Sequence, residues 1–206
     1  MEDIKVVRTS TESEMTVRLS APPIQQDYRS KIQTPLIFLN HMLEHIVWRS
    51  GLNLEVNVSL DKFFLAHVVA EDLGITVGKA VGEYVRRITD SGIYGYGDGV
   101  GIIDEAKAQC AISFESRAYI DFNSHVAIPA LVEDMHSEDL EVFLEGFAQG
   151  AACTLHVDID KGSNAHHIWE AVYRALGKAL EGALAVNPHR AGMTSGVAGK
   201  ISFTIE

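Results

Sequence analysis

Apolar and polar positions along this chain change period several times, and the changes mark out its elements. From Ile4 to Ser20 (IKVVRTSTESEMTVRLS) they alternate over part of the run, which is the two-residue period of half-buried β structure and predicts one or two strands. Between Thr34 and Arg49 the period lengthens. Leu36, Ile37, Leu39, Met42, Leu43, Ile46 and Val47 recur at helical spacing, and Gly51 supplies the stop. Leu52 to Leu60 (LNLEVNVSL) alternates strictly, as a strand with one polar face does, and Glu71 to Ile88 returns to helical spacing.

The second half repeats that order. Lys107 to Phe122 and Ser124 to Ala130 read as strands, Asp139 to Ala152 as a helix, and Thr154 to Asp160 (TLHVDID) as a strand. Asn164 to Ala185 reads as a long helix ended near Asn187-Pro188. The pattern predicts an internal duplication: two units, residues 1–94 and 95–206, each strands, helix, strand, helix, joined as one compact domain. The glycine-rich Gly95–Gly101 (GYGDGVG) is the expected junction. It lacks the preceding buried strand and following helix that a phosphate-binding glycine loop requires.

Composition narrows the possibilities. The chain has 206 residues, 47% hydrophobic and 22% charged, the make-up of a soluble globular protein with an ordinary core. A net charge of −11 works against a nucleic-acid or anionic-membrane partner but leaves room for a local basic pocket. Cys110 and Cys153 belong to no CxxC pattern and read as reduced core residues of a cytosolic protein. The N-terminal MEDIKVVRTS has no apolar signal core and no apolar run reaches membrane-span length, so the expected location is the cytoplasm.

The chemistry lies in the histidines, of which there are nine. His67 and Glu71 stand at i and i+4, as do His166 and Glu170, and each pair shares one helix face a turn apart, the reach needed to grip one metal ion. Both His67/His166 and Glu71/Glu170 are 99 residues apart, so the pairs lie in register across the duplication. His167 sits about 100° round the helix from His166 and points to a second ion or another partner. His41 and His45 share a face, His156 lies mid-strand, and His125, His136 and His189 read as surface residues. Imidazole with carboxylate suits Mn, Fe, Zn or Ni rather than Ca or Mg.

In order along the chain, HMLEH, AHVVAEDLGITVG, IDEA, SRAYIDF, TLH and NAHHIWEAVYRAL resemble motifs of the imidazoleglycerol-phosphate dehydratase family: DHML, DHHTxEDxGIxLG, MDEA, SGRP, TLH and NxHHxxEAxFKA. The resemblance implies a duplicated α+β fold of the ribosomal protein S5 domain 2-like type, with helices on one face of each sheet. It implies a hydro-lyase of histidine biosynthesis, converting imidazole glycerol phosphate to imidazole acetol phosphate, and a homo-oligomer of 24 subunits built from trimers. It further implies two manganese ions per site at subunit interfaces. One ion would take His67, Glu71, His156 and His167. The other would take His41, His166 and Glu170, with a fourth ligand where this chain has Val68; His45, one turn from His41, is the nearby candidate to replace it. Glu12 and Glu170 are the implied acid/base candidates, with Glu12 against the substrate, and Arg117, Ser195 and Lys200 the implied phosphate contacts.

The chain also departs from the family. Asn40 stands for the Asp before HML, Arg49 for a histidine, Gly95 for the phosphate-gripping arginine of RYG, and Thr194-Ser195-Gly196 with a displaced Lys200 for the STKG loop. Each lost charge-assisted phosphate contact costs roughly 1.5–3 kcal/mol of binding. Two further functions therefore stand beside the dehydratase: a same-fold paralogue with one intact metal site acting on another small substrate, and a non-catalytic, metal-stabilised assembly.

Overall fold

A computed structural model describes residues 3–62, 64–197, 199, 202 and 204. The first half runs β1 (Ile4–Thr9), β2 (Ser13–Ser20), β3 (Ile32–Gln33), α1 (Ile37–Ser50), β4 (Asn53–Leu60) and α2 (Ala66–Ile88). The second runs β5 (Tyr96–Ile103), β6 (Ala106–Ser113), β7 (Tyr119–Ser124), a small hairpin β8 (Leu131–Val132) and β9 (Met135–His136), then α3 (Ser137–Ala151), β10 (Thr154–Lys161) and α4 (Ala165–Leu184). The first sheet has the order β1-β2-β4-β3 and the second β5-β6-β10-β7. In each the first three strands pair antiparallel and the last pair is parallel. Among the described residues the two halves therefore share one topology, apart from the β8–β9 hairpin of the second.

The helices lie between the sheets and pair reciprocally across the halves. Helix α2 packs on β1 and β2 of its own half and on α3 of the other; α4 packs on β5, β6 and β10 of its own half and on α1 of the other. Apolar stripes meet in this layer. Leu39, Met42 and Leu43 of α1, Leu73 of α2, Phe143 and Phe147 of α3, and Trp169 and Tyr173 of α4 are all fully buried. The two largest keep their polar atoms satisfied: Trp169 Nε1 donates to Ser137 Oγ (2.9 Å) and Tyr173 OH to the Leu140 carbonyl (3.2 Å). Cys110 and Cys153 are free thiols in the core, where burial pushes Cys153 up to about 12. Among the described residues no helix is long and apolar enough to cross a membrane.

From Tyr96 the glycine-rich run expected as the junction forms strand β5, the first strand of the second half. Its glycines conceal the period-2 pattern, because they occupy the inward positions that side chains normally mark. They are small because a helix backbone lies against them. A Cβ on Gly97, Gly99 or Gly101 would stand 2.1, 2.4 or 1.8 Å from the carbonyl oxygen of Ala179, Ala175 or Ala171, three alanines on one face of α4. The strand expected over Lys107–Phe122 divides into β6 and β7, and none forms over Ser124–Ala130: β7 ends at Ser124 and the chain runs irregularly to the β8–β9 hairpin, with Pro129 inside the stretch.

This packing predicts opposite outcomes for two glycine-to-alanine changes. Gly101→Ala is expected to destabilise the fold by about 1–3 kcal/mol through overpacking. Gly182→Ala, whose Cβ would meet nothing closer than 3.5 Å, is expected to be neutral or to stabilise α4 by up to about 1 kcal/mol. Urea denaturation of both variants checks the order; equal stabilities would contradict the packing account.

Candidate metal centre

Helix α1 carries His41 and His45 one turn apart, and α4 carries His166 and Glu170 one turn apart. Where these helices cross, the four side chains meet. His41 Nε2 lies 3.5 Å and His166 Nε2 3.2 Å from Glu170 Oε2. His45 Nε2 lies 3.2 Å from Glu170 Oε1 and 3.3 Å from His41 Nε2. One ligand atom from each of His41, His166 and Glu170 falls within 4.8 Å of the others, the only such group of metal-competent side chains among the described residues. Phe38 stands edge-on to His166, ring centroids 5.0 Å apart. A cavity of about 510 Å³, lined by Ile37, Phe38, His41, Glu133, Asp134 and His166, opens onto the cluster.

Local sequence explains why both helices start where they do. The Asn164 side chain caps α4, its Oδ1 accepting from His166 N (2.9 Å) and His167 N (3.3 Å). Helix α1 has no cap of its own. Asp134, at the tip of the β8–β9 hairpin, accepts from Ile37 N (2.7 Å) and Phe38 N (2.9 Å), so the second half caps a helix of the first. Asn40 donates to the Thr34 carbonyl (3.1 Å) and accepts from Thr34 N (3.0 Å); an aspartate at this position would lack that donor.

Carboxylates behind the imidazoles orient them. Glu133, held at φ 50° in the hairpin turn, places Oε1 3.0 Å from His166 Nδ1, and Glu44 Oε2 lies 3.6 Å from His41 Nδ1. Both arrangements favour a proton on Nδ1 and leave the Nε2 lone pair facing the cluster, the disposition of a metal-ligating histidine. Burial, partly opposed by Glu170, pulls His45 well below the ordinary histidine value, to about 4. Burial alone would raise the Glu170 carboxyl, but His45, Arg174, His41 and His166 together hold it below the usual value. Arg174, one turn along α4, pairs with Glu170 Oε1 and donates to the Ile102 carbonyl (2.7 Å). Sequence reasoning missed Glu133, Asp134 and Arg174 as parts of the site. Only Glu44, three residues from His41 on the same helix, carried a local signal.

The other expected ligands do not gather within one chain. His67 sits near Asp139 of α3 (3.8 Å), His156 faces Asp121 on β7 (3.5 Å), His167 pairs with Glu105 in the β5–β6 turn (2.8 Å), and Glu71 is exposed on α2. Glu12 is exposed in the β1–β2 turn. Arg117 is exposed and pairs with Glu115 (3.3 Å), and the Ser195 hydroxyl donates to the Phe114 carbonyl. Lys200 lies outside the described residues. Two departures in this region are coupled. Gly95 has φ +68°, and a Cβ on it would lie 2.4 Å from Ser195 Cβ, so the segment carrying Ser195 occupies the space a longer residue at 95 would need.

Two imidazole nitrogens and a carboxylate oxygen whose ligand atoms converge suit a divalent transition metal. Fold and site together define a duplicated sheet-and-helix scaffold with a histidine–carboxylate centre where its halves meet. The sequence model described as imidazoleglycerol-phosphate dehydratase matches residues 34–180. An imidazoleglycerol-phosphate dehydratase from Burkholderia vietnamiensis is 34% identical over 98% of this chain and 100% of its own length. One from Thioalkalivibrio sulfidiphilus is 32% identical over 96% and 97%. The crystal structure of the Pyrococcus furiosus enzyme superposes with a TM-score of 0.77 at 26% identity, covering 95% of this chain and 100% of that one; the Staphylococcus aureus enzyme gives 0.76 at 28%, covering 90% and 100%. The chain belongs to the imidazoleglycerol-phosphate dehydratase family, a family of hydro-lyases.

The Glu105–His167 pair yields a pH prediction for metal-free protein. Hydrogen bonds from His167 and from the Asn164 and Ser163 backbone hold Glu105 down at about 2, and the Glu105 contact raises His167. The carboxylate's contribution is present above its unfolded value near 4.5 and fades as pH falls towards 2. The imidazolium's is present below its unfolded value near 6.5 and fades as pH rises through the raised folded value. The stability difference between wild type and Glu105→Gln should therefore peak between about pH 4.5 and 6.5 and shrink on both sides. Denaturation of both proteins from pH 3 to 9 checks this; a flat difference would contradict it.

Proposed function

We propose that this chain is a metal-dependent dehydratase of imidazole glycerol phosphate, giving imidazole acetol phosphate in histidine biosynthesis in the cytoplasm. The observation that carries the reading is the convergence of His41, His166 and Glu170 in a member of this family. These residues hold one divalent ion, manganese first, with Zn, Fe or Ni as alternatives. When bound, the ion supplies Lewis acidity to the imidazole ring, stabilising negative charge that develops there.

The chain's own residues do the rest. Glu12 is the acid/base that moves the proton at the carbon next to the ring, with Glu170 the second candidate. Arg117, Ser195 and Lys200 hold the phosphate. His67, Glu71, His156 and His167 form a second ion site. Their separation in one chain supports a site completed across a subunit boundary, in a homo-oligomer, the 24-mer built from trimers. Repeat units 1–94 and 95–206 belong to the same reading.

One observation favours a second reading, the same scaffold acting on a different small substrate. Ser195 closes the space beside Gly95, and the Ser195 hydroxyl is spent on the Phe114 carbonyl. Turnover of imidazole glycerol phosphate with added Mn²⁺, followed by absorbance of the enol product, separates the two. The dehydratase reading predicts turnover that chelation abolishes, and a fall of about 10²–10⁴-fold in kcat for Glu12→Gln with little change in stability. A metal-loaded protein without turnover would favour the different substrate.

A further inference from the structure

We infer that His45 is a direct ligand of the ion held by His41, His166 and Glu170, so that this metal site is completed by a single chain. The inference rests on the metal dependence proposed above and assigns the fourth donor.

Bonds of about 2.0–2.1 Å at tetrahedral angles set ligand atoms about 3.3–3.4 Å apart. The contacts of His41 and His166 already have those spacings; His45 lies outside the three-residue set whose ligand atoms fall within 4.8 Å of one another and reaches it through His41 Nε2 and Glu170 Oε1. His41 Nε2 is 3.3 Å from His45 Nε2 and 3.5 Å from Glu170 Oε2, and His166 Nε2 is 3.2 Å from Glu170 Oε2. His45 is carried on the same face of α1 as His41, their rings 4.6 Å apart, and its side chain is only 15% exposed. The Nε2 atoms of His41 and His45 face each other beside the Glu170 carboxylate, so at most one of them donates in that contact, and a shared cation would engage both lone pairs.

Position 68 cannot serve in the same way. Val68 lies on α2, which packs on α3 and on β1 and β2, whereas the cluster lies between α1 and α4. A histidine at 68 would have had to reach this ion from elsewhere; His45 reaches it from within.

The rival role for His45 is to hold Glu170 in place by donating to Oε1, 3.2 Å away. His45→Gln separates the two, because glutamine keeps an N–H donor for Glu170 but has no imidazole. If His45 is a ligand, His45→Gln and His45→Ala both weaken Zn²⁺ and Mn²⁺ binding at this site by at least about tenfold, to similar extents. X-ray absorption of the His67→Ala chain loaded with one equivalent of Zn²⁺, which silences the other proposed ligand set, then counts three imidazoles, falling to two when His45→Gln is added. Wild-type-like affinity in His45→Gln, or two imidazoles in both proteins, would overturn the ligand role and leave the dehydratase reading intact. No metal uptake by the unsubstituted chain would overturn both. Normal uptake with three imidazoles but no turnover would count against the substrate alone.

Discussion

The crossing of α1 over α4 is the contact on which the rest of the site depends. Each helix brings two metal-competent side chains a turn apart, and neither pair amounts to a site without the other. Because α1 belongs to the first half and α4 to the second, the centre is a product of the way the duplicated units dock. The reciprocal α2–α3 crossing and the Asp134 cap on α1 tie the same two halves together. A shift of α1 by a single residue would turn His41 about 100° away from Glu170.

Close backbone approach is the second constraint, and it recurs on both sides of the helical layer. Gly97, Gly99 and Gly101 let α4 lie directly on β5, and Gly74 and Gly78 let α2 lie on the backbone of α3 at Phe143 and Phe147. Neither contact leaves room for a Cβ. The position of α4, and with it His166 and Glu170, is therefore set by the absence of side chains as much as by the buried Trp169 and Tyr173.

Much of this was legible in the sequence, for physical reasons. Long amphipathic periods gave helices α1 to α4, strict alternation gave β4, alternation gave β10, and partial alternation marked the β1–β2 stretch as one or two strands. The HxxxE pair at His166 and Glu170 is local to one helix, so spacing alone placed both groups on one face. The strand β5 was hidden because glycine carries no hydrophobicity to alternate. Glu133, Asp134 and Arg174 escaped because their roles arise only when a hairpin tip meets a helix end, or when a surface-type residue is folded under its neighbours. Val68 and Gly95 stood out as gaps in motifs. The structure gives both a context: Val68 lies on α2, outside the α1–α4 crossing, and Gly95 lies under Ser195.

The proposed dehydratase needs an ion between the two halves of this chain. Elemental analysis of the full chain, purified without a metal-affinity tag, tests it most directly, paired with the His166→Ala variant. The account predicts at least one equivalent of a divalent transition metal per chain, and a loss of about one equivalent in the variant. Less than about half an equivalent in the unsubstituted chain, or a content that His166→Ala does not change, would contradict it.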